Sequence, residues 1–325
     1  MNPDRRILLR AAAFALAAAP IPVRAESWPE RPIRLVVPFP PAGGTDVLAR
    51  TLAQSITQSR GWAFAVENRP GAGGNIGLDA VAKAKPDGYT IGLAQTSNLA
   101  INPALYPTMP YRPLEDLAPV VLVASQSLVL VVAAASPWRT LADLVAAARA
   151  KTGGLAMASP GSGTVGHLGG EMFARRVGVK LLHVPYKGAS PAYTDLIGGQ
   201  VELYFATPPS ALPLIRGAKL RALAVTSAQR LHALPDVPTV AESGWRDFVA
   251  EEWKALVAPA RTPAEIVERL NAAANEALRR AELRTRLDDE GSTALGGTPQ
   301  QLAEFMRAEH ARWGAAVRES GARVE

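Results

Sequence analysis

Residues 33–46 read Ile33-Arg34-Leu35-Val36-Val37-Pro38-Phe39-Pro40-Pro41-Ala42-Gly43-Gly44-Thr45-Asp46. A β-branched apolar run is stopped by prolines and handed through a glycine turn to a helix. Leu48, Leu52 and Ile56 follow at i, i+4 and i+8 on one helical face. The same sentence repeats down the chain. Strands are predicted at Ala63–Glu67, Tyr89–Ala94, Leu128–Val132, Leu155–Ser159, Leu181–Val184, Val201–Ala206 and Leu220–Thr226, with helices such as Leu141–Ala150 and Ser190–Ile197 between them. This order predicts an α/β fold with mainly parallel sheets covered by helices. Two amphipathic stripes close the chain. One is Ile266, Leu270, Ala273, Ala277 and Leu278; the other is Leu302, Phe305, Met306, Trp313 and Val317. The polar, proline-containing stretches Asn102–Pro119 and Ser227–Pro238 read as connections between two domains. The expected division is 26–125 plus 232–325 for the first domain and 126–231 for the second.

Three glycine turns sit where a strand gives way to a helix. They are Pro40–Asp46, Arg69-Pro70-Gly71-Ala72-Gly73-Gly74-Asn75, and Ser159-Pro160-Gly161-Ser162-Gly163-Thr164-Val165-Gly166-His167. A helix N-terminus carries unpaired N–H groups and about half a positive charge. Glycine lets backbone N–H groups converge on one anion. Ala42, Gly43, Gly44 and Asp46 of the first turn, and Gly161, Ser162, Gly163 and Thr164 of the third, are therefore candidate ligand contacts. His167 stands beside the third turn as a donor. The plain alternative is tight turns capped by Thr45 or Asp46 and by Thr164.

Gly161, Gly163 and Gly166 match G-x-G-x-x-G, but the acid that dinucleotide binding needs about 20 residues on is absent. Tyr186-Lys187-Gly188 stands there instead, and Lys187 is either a carboxylate partner or a solvated side chain. Pro160 occupies the first glycine position of a nucleophile elbow around Ser162, so no such elbow exists. The four histidines, His167, His183, His232 and His310, are scattered and suggest no metal; His183 reads as a hydrogen-bonded core residue.

The first 25 residues differ from the rest of the 325. Arg5, Arg6 and Arg10 precede an apolar stretch from Ala11 to Val23, which ends in Val23-Arg24-Ala25. That order predicts a secretory signal peptide removed near Glu26 and a periplasmic destination. Asp4-Arg5-Arg6-Ile7-Leu8-Leu9-Arg10 resembles a twin-arginine signal, so both that route and the general one are open. Removing residues 1–25 takes away four Arg and one Asp and lowers the net charge from +6 to +3. A charge so small and so scattered argues against nucleic acid. The chain has no cysteine, which excludes thiol catalysis and cysteine-held metals.

Several ordered blocks carry a resemblance. They are Pro32-Ile33-Arg34-Leu35-Val36-Val37-Pro38-Phe39, Glu67-Asn68-Arg69-Pro70-Gly71-Ala72-Gly73-Gly74-Asn75-Ile76-Gly77, Pro86-Asp87-Gly88-Tyr89-Thr90, Asn102-Pro103-Ala104-Leu105-Tyr106, His183-Val184-Pro185-Tyr186-Lys187-Gly188 and Leu234-Pro235-Asp236-Val237-Pro238-Thr239-Val240. From about Trp28 to Gly321 the chain resembles the Bug family, the extracytoplasmic receptors of tripartite tricarboxylate transporters. The resemblance implies a two-domain Venus-flytrap fold, no catalysis and no cofactor. It implies a carboxylate held between the domains by the first and third glycine turns and by the loop Gln95-Thr96-Ser97-Asn98, with Phe39 lining the cleft. It also implies delivery to membrane transporter subunits by a monomer. Two positions depart from the family pattern. Ala206, before Thr207 at a strand end expected to face the ligand, stands where members often carry Asp. Trp253-Lys254-Ala255 stands where Trp-Phe-Gly is common. The loss of the acid at Ala206 predicts a ligand that needs no ammonium group. The competing readings are a ligand-dependent sensor for a membrane histidine kinase and a secreted α/β hydrolase or transferase. The latter lacks a recognisable nucleophile and base.

Overall fold

The computed structural model describes residues 28–41, 44–186 and 188–324. Along the first part run β1 (Ile33–Val37), α1 (Gly44–Arg60), β2 (Phe64–Asn68), α2 (Asn75–Ala82), β3 (Thr90–Gln95), a π-turn at Ser97–Ile101, α3 (Asn102–Leu105) and β4 (Leu117–Ser127). Next come β5 (Val129–Ala133), α4 (Leu141–Ala150), β6 (Leu155–Ser159), α5 (Val165–Val177), β7 (Leu181–Pro185), α6 (Ala189–Ile197), β8 (Leu203–Ala206), α7 (Pro208–Arg216) and β9 (Leu220–Val225). The chain ends with β10 (Glu251–Pro259), α8 (Ala264–Arg279), α9 (Ala281–Asp289), β11 (Ser292–Ala294) and α10 (Pro299–Ser320).

Two sheets result, one of six strands in the order β11-β4-β10-β3-β1-β2 and one of five in the order β7-β6-β8-β5-β9. The expectation of mainly parallel sheets is corrected: four pairings are parallel and five antiparallel, so both sheets are mixed. The cause lies in the crossings. β5 enters the second sheet and β10 re-enters the first, and each arrives from the opposite lobe, reversed relative to the neighbouring β-α-β strands. The stretch Asn102–Pro119 does not carry the chain across, because it feeds β4 within the first sheet. The outward crossing is at Leu128, where β4 passes almost unbroken into β5.

The two passages share one seam. Thr226, just after β9, donates its N–H to Leu128 O at 2.9 Å. The Leu128 N–H donates back to Thr226 Oγ1 at 2.8 Å. Ser127 Oγ accepts the N–H groups of Thr226 and Ser227, each at 3.0 Å. Ala250, at the head of β10, donates to Thr226 O at 3.0 Å. The Ser127 and Thr226 hydroxyls and the facing backbone groups of Leu128, Thr226 and Ala250 thus have partners, as burial requires.

The apolar stripes behave as their periodicity demands. Leu48, Leu52 and Ile56 are buried, as are Leu270, Ala273, Ala277 and Leu278 of α8. In α10, Leu302, Met306, Trp313 and Val317 are buried and rest on the first sheet. That helix also packs on α5 of the second lobe. Thr298 caps it through a reciprocal box with Gln301, satisfying two end groups at once.

Glu309 on α10 is buried and collects four donors. Trp253 Nε1 and Trp313 Nε1 reach its Oε2 at 2.8 and 2.9 Å. Arg312 donates from Nε to Oε1 at 2.8 Å and from Nη2 to Oε2 at 2.9 Å. This cluster fixes β10 and α10 together.

Candidate functional site

The C-terminal end of β3 in the first sheet and those of β6 and β8 in the second open onto one cleft. Its cavity is about 280 Å³. In α/β sheets, loops at strand carboxyl ends are where ligands bind. One wall carries Phe39, Gly73, Gln95, Ser97 and Asn102; the other carries Ser162, Gly163, Thr164 and Thr207. Leu128, at the crossing, also borders the cavity. A larger hollow of about 490 Å³ lies between α5 and α10. Two of its three arginines are ion-paired, Arg175 with Glu319 and Arg312 with Glu309, and Arg176 donates to Arg246 O.

The first wall is built by side-chain amides. Asn98 and Asn102 both donate Nδ2 to Gly73 O, at 2.7 and 3.1 Å, and pin the second glycine turn to the loop after β3. Gly74 has φ +91°, and a Cβ there would stand 2.2 Å from Asn98 Nδ2, so only glycine fits that approach. Gln95 accepts from Thr45 Oγ1 at 2.7 Å and donates to Ser97 Oγ at 3.2 Å. Its amide is thus held in one orientation at the cleft edge.

The opposite wall is the third glycine turn. Thr164 caps α5, its Oγ1 accepting the His167 N–H at 3.3 Å and donating to Gly161 O at 2.8 Å. Val165 and Gly166 open the helix beside the cavity, and N–H groups in a first turn have no acceptor within the helix. Gly163 has φ +75°, and its N–H donates to His167 Nδ1 at 3.1 Å. A Cβ on Gly163 would stand 2.0 Å from Cδ2 of Leu105, a residue of the other lobe.

Of the residues proposed from the sequence, Phe39, Gln95, Ser97, Ser162, Gly163, Thr164 and Thr207 border the cavity. Ala42, Gly43, Lys187 and the predicted leader lie outside the described residues. Gly44 starts α1 in the open, and Gly161 supports the turn from behind. Three polar candidates, Asp46, Thr96 and His167, are fasteners instead. Asp46 is buried in the first turn of α1 and accepts from Arg50 Nε at 3.1 and 3.0 Å and from Asn68 Nδ2 at 2.9 Å. Thr96 is fully buried and accepts the Trp253 N–H at 2.7 Å. Ala206 is fully buried in the apolar core of the second lobe and does not border the cavity. The acid missing at that position therefore says nothing about an ammonium group. The sequence reading missed Asn102, Tyr106 and Glu252 on the walls. Asn102 lay in a quoted block, while Glu252 lay in a strand not foreseen.

His167 stacks on His183 with ring centroids 3.6 Å apart and planes 10° from parallel. His183 Nε2 is 2.7 Å from Ser159 Oγ, the hydrogen bond expected for a packed histidine. Burial, helped by neighbouring His183, pushes His167 down to about 3. Burial alone takes His183 down to about 4. Both are neutral at pH 7, as a His167 Nδ1 that accepts a backbone N–H requires. The linkage has a definite sign. Below the ordinary value near 6.5 the unfolded chain takes up protons that the folded rings refuse. Stability contributed by the stack is complete above pH 6.5 and declines on acidification toward pH 4. The slope is up to roughly 1.4 kcal/mol per pH unit for each ring. Urea midpoints between pH 7 and 4.5 should fall more steeply in the unchanged protein than in His167→Asn, whose amide oxygen retains an acceptor for Gly163. Equal slopes would remove the stack from the acid response.

Residues 48–322 match the family model described as the tripartite tricarboxylate transporter family receptor. The chain belongs to that receptor family. Protein BugT of Bordetella pertussis is 41% identical over 326 residues, covering all of both chains. An R. palustris protein solved with adipate is 36% identical, with a TM-score of 0.82 over 91% of this chain and 99% of its own. MatC from Rhodopseudomonas palustris, solved with bound malate, is 33% identical, with a TM-score of 0.76 over 89% and 100%. The receptor is a two-domain solute-binding protein of the periplasmic-binding type, and not an enzyme. Among the described residues no helix of the receptor is long and apolar enough to cross a membrane, and no group of acidic or histidine side chains is placed to hold a metal ion.

Proposed function

We propose that this receptor captures a small carboxylate in the periplasm, between its two lobes, and presents it as a monomer to the membrane subunits of a tripartite transporter. The observation that carries the reading is the cleft wall where the capped N-terminus of α5 faces Gln95 and Ser97 across the cavity. Helix N–H groups, hydroxyls and an amide suit a carboxylate without a dedicated arginine. The adipate and malate in two structural relatives support the same class of ligand. The proposed domains are 26–125 with 232–325, and 126–231. The placement of β1–β4, β10 and β11 in one sheet and β5–β9 in the other supports that division.

A few charge-assisted hydrogen bonds of about 1.5–3 kcal/mol each reach the roughly 8 kcal/mol of micromolar binding. A ligand that contacts both walls favours the closed form. Calorimetry with C4 to C6 carboxylates, run beside small-angle scattering, should give micromolar binding and a smaller radius of gyration at saturation. Binding with an unchanged radius would defeat lobe closure, and no binding to any member of the series would defeat the carboxylate reading.

A further inference from the structure

Glu252 is the one charged side chain on the cavity wall among the described residues. It is an acid, in a cleft read as receiving an acid. Its surroundings resolve the conflict. The Glu252 side chain is only 15% exposed, and Lys254 Nζ lies 3.3 Å from its Oε2. Lys254 is itself buried, its side chain 6% exposed, and its ammonium also reaches Gln126 Oε1 at 3.5 Å.

Strand register explains the arrangement. On β10, Glu252 and Lys254 are two apart and share a face. Lys254 stands opposite Gln95 of β3, and Glu252 stands opposite Gln126 of β4. Directly opposed residues in an antiparallel pair share a face. The four side chains therefore form one polar row across three strands, running from the cleft edge into the sheet. Lys254 balances the charge of Glu252 from below, and Glu252 presents to the ligand from above.

We infer that Glu252 is a specificity-determining residue that selects against a second carboxylate and for a hydrogen-bond donor at its end of the cleft. This rests on the carboxylate reading of the site. The ligand class is then a monocarboxylate that carries a hydroxyl or ammonium group. Its carboxylate sits at the α5 side and its donor at Glu252, since an acid oxygen accepts such donors while two acids at short range repel.

The test uses two series of matched length at pH 7. One is butyrate, 4-hydroxybutyrate, 4-aminobutyrate and succinate; the other is hexanoate, 6-hydroxyhexanoate, 6-aminohexanoate and adipate. Calorimetry on the unchanged receptor should rank the donor-bearing acids at least tenfold above the diacid of the same length. Glu252→Gln should erase or reverse that ranking. Because Glu252→Gln leaves Lys254 buried without its partner acid, the double variant Glu252→Gln with Lys254→Met serves as the second arm, and it should lose the ranking too. If acids bind but the diacid leads in the unchanged receptor, or if the ranking survives both variants, the inference is overturned and the carboxylate reading stands. If no acid of either series binds the unchanged receptor, both fall together.

Discussion

Gly163→Ala is expected to reduce carboxylate affinity by about a hundredfold. The added methyl would stand 2.0 Å from Leu105 Cδ2, which real carbon pairs never tolerate. Gly163 belongs to one lobe and the buried Leu105 to the other, so the clash is relieved either by turning the Leu105 side chain into its packed surroundings or by holding the lobes apart, and each disturbs the cleft wall. The φ of +75° adds roughly 1 kcal/mol of strain for a residue with a Cβ. A hundredfold loss corresponds to about 2.7 kcal/mol, in the range where overpacking of a tight contact falls. Calorimetry should show the loss, and scattering should show a radius that no longer shrinks with ligand. Leu105→Ala in the same chain should restore much of the affinity, because it removes the colliding atoms. Full affinity in Gly163→Ala alone would mean that the lobes need not approach at this contact.

Glu309→Ala is expected to cost about 2–5 kcal/mol of stability, chiefly because two buried indole N–H donors lose their acceptor at about 1–3 kcal/mol each, with the one-third exposed Arg312 adding less. The substitution strands the indole N–H groups of Trp253 and Trp313 and removes the carboxylate from the Arg312 guanidinium, which keeps only Val249 O at 2.8 Å. Glu309→Gln keeps an acceptor oxygen but loses the charge and turns a donor toward two donors, so it should recover only part of the loss. Urea unfolding followed by tryptophan fluorescence measures both. Trp253 and Trp313, two of the chain's six tryptophans, sit in this cluster, so part of the signal comes from it. A loss below about 1 kcal/mol in the alanine variant would show that water replaces the carboxylate at low cost.

Most of the β-α-β units were legible because each pairs an apolar run with a proline or glycine stop. Ile33–Val37, Leu141–Ala150 and Leu155–Ser159 match the structure at both ends. The strands that were not foreseen share a different property. β4 contains Pro119 and β10 opens on two glutamates and carries Lys254, so neither reads as a buried strand by composition. β11 is three residues long and has no periodicity to detect. These strands make the first sheet mixed; the second is mixed because β5, though foreseen, enters it reversed after the crossing at Leu128.

The site was legible to the extent that turns reveal themselves by glycine. Residue type then misled at particular positions. Asp46, Thr96 and His167 have the chemistry of ligand contacts, but the fold spends that chemistry on Arg50, on the Trp253 backbone and on Gly163. A turn rich in glycine has little side-chain packing of its own, so buried polar side chains nearby are needed to hold its shape. Glu252 was unreadable for the opposite reason. Its importance comes from pairing across β3, β10 and β4, a relation between distant segments that no local pattern encodes.

The seam formed by Ser127, Leu128, Thr226 and Ala250 bears on how cargo leaves. All strand passages between the lobes run side by side there, cross-linked by their own amides. A turn of one lobe against the other is then absorbed by a few backbone torsions along a single line, and no ladder in either sheet has to melt. Motions of that kind run on the microsecond-to-millisecond scale. Besides the cargo's own contacts, such a turn has to rearrange the lobe-to-lobe packing away from the seam, α10 on α5 and Leu105 against Gly163. The hydrogen bonds of the seam itself can stay in place through that turn, so the emptied molecule binds again without re-forming either sheet.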